Sequence, residues 1–399
     1  MHHQSHTIAN LILKRGLSPS GESILVGVVL TNGCVTWGAC GQLADIPAAI
    51  NTLKQLVTPL LQDQPLHSFP KLVAQVDKLT ETDTQPRPVS SPLDPPTNRA
   101  SRTISRRQLI TGHSTEDTPE MEQVTITRPL SPSLRFGVSQ AILYGIALSQ
   151  HESLVTVLAE AFNTPISPKT IPLLVDAEKT NIAIIKPIIA RAAAIGYWTG
   201  HLNHKRTLGS NAERLQAHVR QVKTWLMDIV HEAQLTIHLN IQGGFTDLYD
   251  NNAGKILGAL YGLEQAAKPY ALVIENIVMG DVTAVSDNMK QIQSYLDSRK
   301  MTVKLAAGYS LFPPAALKQF VADKALHQIH INLSQFGSIL QTMAFIDDCK
   351  AQEINVILHD EGENVETATA VAQAAGVYAL SGPSYSLYNE TAKIMARRL

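Results

Sequence analysis

The chain has 399 residues, 44% apolar and 17% charged, with a formal net charge of -1. That length suits two domains and that composition a large buried core, while a near-zero charge argues against a nucleic-acid binder, which carries a basic surplus. Cys34, Cys40 and Cys349 form no CxxC pair and suit a reducing compartment. No run reaches the roughly 18 to 20 apolar residues of a membrane span. The start, Met1-His2-His3-Gln4-Ser5-His6, lacks the features of a secretory signal, so a cytoplasmic location and no membrane partner are expected.

Residues 22–30 and 34–40 are two β-branched, apolar runs around Asn32-Gly33, a strong hairpin signal because both residues tolerate positive φ. Apolar spacing turns helical over 46–61, which predicts an α+β domain. Residues 81–130 differ. Pro86, Pro88, Pro92, Pro95 and Pro96 break regular structure, and Arg99, Arg102, Arg106 and Arg107 cluster ahead of Glu116, Asp117, Glu120 and Glu122. The expectation is a long solvated insertion, with a protein-docking segment as the sharper reading and Ile104, Leu109 and Ile110 as anchors of a short helix.

Helical spacing resumes over 133–161. Eight short apolar runs then alternate with helix-length segments: 171–176, 197–202, 235–241, 271–275, 302–307, 328–333, 355–360 and 377–380. Helices are expected at 211–233, 253–267, 285–299 and 314–322, and from 337 to 350. Eight strands with eight crossovers is the arithmetic of a (β/α)8 barrel, whose site lies at the C-terminal strand ends.

Several segments carry a family resemblance. Gly21-Glu22-Ser23-Ile24 with its hairpin, the run Leu134 to Leu143, Glu264-Gln265-Ala266-Ala267-Lys268-Pro269, Ile274-Glu275 and Cys349-Lys350-Ala351 occur in the order and spacing of methylaspartate ammonia-lyase, an enolase-superfamily enzyme. The chain resembles that family over nearly its whole length. The resemblance implies an enolase-like α/β fold: an α+β capping domain over 1–165, with the Pro/Ser/Arg-rich insertion at about 81–130, then a (β/α)8 barrel over 166–399. It also implies a homodimer. The family's three Mg²⁺-binding acids match Asn240, Glu275 and Gly308, and its catalytic lysine matches Asn332. The two loops that close over the substrate are shortened, and the family's histidine after the second strand falls near Trp198 or His201.

These departures point away from Mg-dependent ammonia elimination. Mg²⁺ requires hard oxygen ligands, and Asn332 cannot accept a proton. No cofactor is expected, with Mg²⁺ only if its site is rebuilt; Glu275 and Asn240 hold the family metal positions, and Glu275, Asp360 and His359 could form a rebuilt site. His330, two residues before Asn332 on the same strand face, joins His359 and Asp360 as candidate acid/base groups. Asp176, Asn332 and Glu361 are candidate substrate-binding residues. Two functions fit: an enzyme with altered acid/base or lyase chemistry on a small amino-acid-like or carboxylic substrate, or a non-catalytic binding or scaffolding homologue.

Overall fold

A computed structural model describes residues 6–18, 21–41, 43–88, 121–166, 171–176, 192–198, 204–229, 235–362 and 364–382. Three antiparallel strands open the chain: β1 (Ile8–Ser18), β2 (Gly21–Leu30) and β3 (Val35–Cys40), with Ser18 opposite Gly21 and Val29 opposite Val35. Alternation sends Ile24, Val26, Val28 and Leu30 of β2 into the core, where all are essentially unexposed. The first strand is absent from the sequence reading, because Lys14 and Arg15 interrupt its apolar pattern.

The helix Pro132–Gln150 crosses this sheet. Ser131 caps its N-terminus, Pro132 occupies the first turn, and His151 ends it in the left-handed region. The crossing is close because glycines face each other. A Cβ at Gly38 would overlap the Gly137 carbonyl, and one at Gly137 would meet Cys40 Sγ. The second expected helical stretch is separate, Leu154–Phe162, capped by Ser153.

One buried amide ties the sheet, this helix and the barrel together. Gln140 Oε1 accepts from Ala39 N at 2.8 Å, and its Nε2 donates to Asn364 Oδ1 and Thr367 Oγ1 at 2.8 Å each. Ser139 Oγ likewise receives the Ile339 N–H, the first of the helix Ile339–Ala351. Gln140→Leu keeps the volume but strands three polar partners, so it should destabilise the protein by about 2–4 kcal/mol. Denaturant titration checks this; a loss within about 0.5 kcal/mol would show that the joint is held by apolar packing alone.

Residues 78–130 form a unit of their own. Its described part is a two-stranded antiparallel ribbon, β4 (Thr80–Pro88) and β5 (Met121–Pro129), with Thr80 opposite Pro129 and Pro88 opposite Met121. This corrects the expectation of an irregular insertion from residue 81 onward. In a ribbon both strands are edges, so Pro86 and Pro88 can sit where a proline would break a central strand. The arginine cluster and Ile104, Leu109 and Ile110 lie outside the described residues.

The remaining strands close a parallel barrel in sequential order: β6 (Leu173–Asp176), β7 (Ala192–Trp198), β8 (Thr236–Asn240), β9 (Ala271–Glu275), β10 (Lys304–Gly308), β11 (Gln328–Asn332), β12 (Asn355–His359) and β13 (Ala379–Ser381), with β13 returning to β6. The expected enolase-like fold, α+β cap and (β/α)8 barrel, is present. Seven strands overlap their expected positions closely. The exception is β7, which starts five residues before its expected beginning at 197, because Ala192-Ala193-Ala194-Ile195-Gly196 carries too little β-branched character to read as a strand.

Candidate active site

Strand register sets the geometry. Asn240 lies opposite Glu275, Gly308 opposite His330, and Asn332 opposite His359, which in turn faces Ser381. Residues two apart on one strand share a face, so His238 joins Asn240, and His330 joins Asn332, at the C-terminal end of the barrel. There Glu275 and His330 are fully buried and His238 is 1% exposed.

Glu275 is the centre of the cluster. Its Oε2 accepts from His238 Nε2 at 2.7 Å and His330 Nδ1 at 3.1 Å. Its Oε1 accepts from Asn240 Nδ2 at 2.7 Å and Asn276 Nδ2 at 3.3 Å. Backbone donors fix both amides in this sense: Asn240 Oδ1 receives the Gln242 N–H and Asn276 Oδ1 the Gly308 N–H. Burial works to raise the Glu275 carboxyl, but the His330 and His238 imidazoles outweigh it and hold the pKa at about 2. Burial also pushes the His330 imidazole below its ordinary value. The cluster is thus an anion held by imidazole and amide N–H donors.

With His330 neutral, as its burial favours, a chain of proton positions follows. His330 Nδ1 carries its hydrogen toward Glu275, so its Nε2 is an acceptor, and it lies 2.6 Å from Ser381 Oγ. The Ser381 hydroxyl donates there and accepts from His359 Nδ1 at 2.8 Å. In the neutral tautomer that this sets, His359 Nε2 presents a lone pair, 3.6 Å from Glu361 Oε1. His359 is the outermost of the three histidines, with its side chain 14% exposed, and Tyr309 stacks on it with ring centroids 4.8 Å apart. A buried carboxylate therefore connects through two imidazoles and a hydroxyl to a nitrogen at the barrel mouth.

The residues expected from sequence divide into three groups. His330 and His359 come together, ring centroids 5.7 Å apart, with His330 fully buried and bonded to Ser381 Oγ. Asp360 is buried beside the mouth. Its carboxylate accepts from the backbone N–H groups of Gly362 at 2.8 Å and Asn364 at 3.2 Å, ahead of the helix Val365–Ala375. Asn332 caps the short helix Leu333–Phe336 through Oδ1, which accepts from Ser334 N, and its Nδ2 donates to Glu361 Oε1 at 3.1 Å. Among the described residues the ligand atoms that converge on one point are those of His238, Glu275 and His330, in place of the expected set Glu275, Asp360 and His359. Asp176 ends β6, and its side chain, like those of Trp198 and His201, lies outside the described residues.

Sequence reasoning missed His238, Ser381 and Tyr309. His238 stands two residues before Asn240, so the alternation that placed His330 beside Asn332 could have found it. Ser381 had one signal, its place at the end of the eighth barrel strand, where many barrels bind anions.

The model of the family described as methylaspartate ammonia-lyase C-terminus matches residues 165–387, more than half of the chain. The chain belongs to the methylaspartate ammonia-lyase family. Methylaspartate ammonia-lyase 2 of Carboxydothermus hydrogenoformans is 26% identical over 343 residues, spanning 85% of this chain and 74% of that protein. The Clostridium tetanomorphum methylaspartate ammonia-lyase is 21% identical over 269 residues, 64% of each chain. The solved β-methylaspartase of the same organism, a Mg complex, superposes with a TM-score of 0.75 at 18% identity, covering 98% of this chain and 100% of that one. A muconate cycloisomerase from Azorhizobium caulinodans gives 0.60 at 14% identity, covering 95% of this chain and 87% of its own. These two structures establish the shared fold.

Against this membership, the residues here do not fit Mg²⁺. The cation needs hard oxygens in near-octahedral array. Of Asn240, Glu275 and Gly308, the positions that the resemblance assigns to the metal, only Glu275 supplies a carboxylate. Asn240 turns its nitrogen, not its oxygen, toward Glu275. A side chain at Gly308 has no room, since its Cβ would overlap Glu275 Oε1. The Glu275 carboxylate fills the space beside Gly308.

Proposed function

We propose that this family member is an enzyme with altered chemistry: metal-independent proton transfer at carbon on a small amino-acid-like or carboxylic substrate, in place of Mg-dependent ammonia elimination. His359 is the acid/base group. The observation that carries this reading is the hydrogen-bonded chain Glu275–His330–Ser381–His359, which leaves a basic nitrogen at the mouth. A neutral imidazole there is the most useful base near pH 7.

The step runs as follows. The electron pair on His359 Nε2 takes a proton from the carbon beside a carboxylate, and the C–H bonding pair stays on the substrate as an enolate-like anion. The new imidazolium is stabilised by Glu361 at 3.6 Å and, through Ser381 and His330, by the buried Glu275 anion. Return of a proton from His359 to the same face completes exchange, and departure of a neighbouring group with its bonding pair completes elimination. Asn240 and Asn276 aim amide N–H groups at Ser310 Oγ, 3.0 Å from each. That convergence is a place for a substrate oxygen carrying developing charge, once the serine turns aside.

The test is solvent exchange. The protein, in D₂O with EDTA, is incubated with 3-methylaspartate and a panel of small amino, hydroxy and dicarboxylic acids, and loss of C–H signals is followed by NMR. Exchange on at least one is expected, falling about 10²- to 10⁴-fold in His359→Gln. A folded protein that exchanges none of them, or only with added Mg²⁺, overturns the reading; the former leaves the binding or scaffolding role as the function.

A further inference from the structure

We propose that His238, Glu275 and His330 form a binding site for a late first-row divalent cation of the zinc class, distinct in chemistry from the magnesium site of the family. The binding does not rest on the acid/base reading above.

The geometry is close to what such a cation needs. One nitrogen from each imidazole and one carboxylate oxygen lie within 4.8 Å of one another, all buried. Glu275 Oε2 is 2.7 Å from His238 Nε2 and 3.1 Å from His330 Nδ1. Around a tetrahedral zinc with bonds near 2.0–2.1 Å, ligand atoms stand about 3.3 Å apart. Opening the Glu275 contacts to His238 and His330 toward about 3.3 Å and bringing the two imidazole nitrogens, now within 4.8 Å, to the same spacing, with the two N–H hydrogens moved to the outer ring nitrogens, converts the hydrogen-bonded cluster into a three-ligand site.

The surroundings favour it. Asn240 and Asn276 hold Glu275 Oε1 and leave Oε2 to point at the imidazoles. His330 Nε2 already meets Ser381 Oγ, the outer contact that orients a ligating histidine through its other nitrogen. Two imidazoles and one carboxylate make a borderline donor set, which selects zinc, cobalt, nickel or copper over magnesium. His238 Nδ1 has no hydrogen-bond partner, and carrying the proton there in the loaded form costs affinity.

Loading has a consequence at the mouth, and this clause does rest on the proposed function. A cation on His330 Nδ1 makes Nε2 a donor to Ser381. The serine then donates to His359 Nδ1, and His359 Nε2 carries a hydrogen. The loaded protein has lost its base, so the cation acts as an inhibitor.

The test uses Co²⁺ as a spectroscopic probe. Full-length protein is stripped with EDTA, freed of chelator and titrated with Co²⁺, then with Zn²⁺ by calorimetry. A variant with His2, His3 and His6 all replaced by alanine removes terminal binding. Expected is one equivalent of Co²⁺ with the intense visible bands of a four-coordinate ion, displaced by Zn²⁺ but not by Mg²⁺. The bands should persist in His359→Gln and in the terminal variant. Affinity should fall by at least about 100-fold in His238→Gln, and in His330→Gln as a second variant, each checked for folding by circular dichroism. Absence of binding, binding lost with the terminal histidines, or binding unchanged in a folded His238→Gln or His330→Gln protein overturns the proposal. Failed carbon exchange with intact Co²⁺ binding would sink the acid/base reading and leave the cation site standing.

Discussion

Glu275→Gln should cost about 3–5 kcal/mol of folding stability and lower carbon exchange by about 10²- to 10⁴-fold. The wild-type carboxylate receives four N–H donors, from His238, His330, Asn240 and Asn276, and is fully buried. The glutamine oxygen can serve the two asparagines, whose orientation is fixed by backbone donors. Its NH₂ then faces the two imidazoles, and both must present bare nitrogens. For His238 this moves the hydrogen to Nδ1, which has no partner. For His330 it moves the hydrogen to Nε2, reverses the serine hydroxyl and places a hydrogen on His359 Nε2. One atom changed at the buried end thus removes the lone pair at the exposed end. Denaturant unfolding and NMR exchange measure the two effects. A variant within about 1 kcal/mol of wild type, or with unchanged exchange, would show that the cluster is not organised around an anion.

The second large effect concerns Gly308. Gly308→Ala puts a methyl group where Glu275 Oε1 lies, with His330 Cβ at 3.2 Å on another side. The carboxylate must leave its donors, which should cost about 3–5 kcal/mol. Gly308→Asp adds like-charge repulsion and should unfold more easily still in EDTA. Combined with Asn240→Asp it restores three acids at the family positions. That double variant should gain stability with added Mg²⁺, about 2.7 kcal/mol at 100 times the dissociation constant, whereas Gly308→Ala should not respond. A double variant indifferent to Mg²⁺ would mean that the strand ends no longer hold the spacing of a magnesium site.

The fold was largely legible because barrel strands are short, apolar and punctuated by turns. The exceptions have local causes. Lys14 and Arg15 hid β1, the alanines of Ala192–Ala194 hid β7, and prolines masked the β4–β5 ribbon, which has no central strand for them to disrupt. The site was legible where strand alternation applies. It placed His330 beside Asn332, and the same rule would have placed His238 beside Asn240. The role of Ser381 was not legible, because a bridging hydroxyl is defined by the register of three neighbouring strands, not by anything near it in sequence. Nor could alternation tell that Asp360, adjacent to His359, would cap the following loop and leave Glu361 at the imidazole.

The central claim is that a Glu275-centred hydrogen-bond cluster has replaced the magnesium site. Thermal unfolding of the wild-type protein in EDTA and in excess Mg²⁺, with and without 3-methylaspartate, tests it most directly. Superimposable curves are predicted, because the Glu275 carboxylate is flanked by Gly308 and by the Asn240 amide nitrogen where Mg²⁺ needs carboxylate oxygens. A Mg²⁺-dependent rise in Tm, strengthened by 3-methylaspartate and abolished in Glu275→Gln, would contradict the account and restore the family's metal chemistry to this chain.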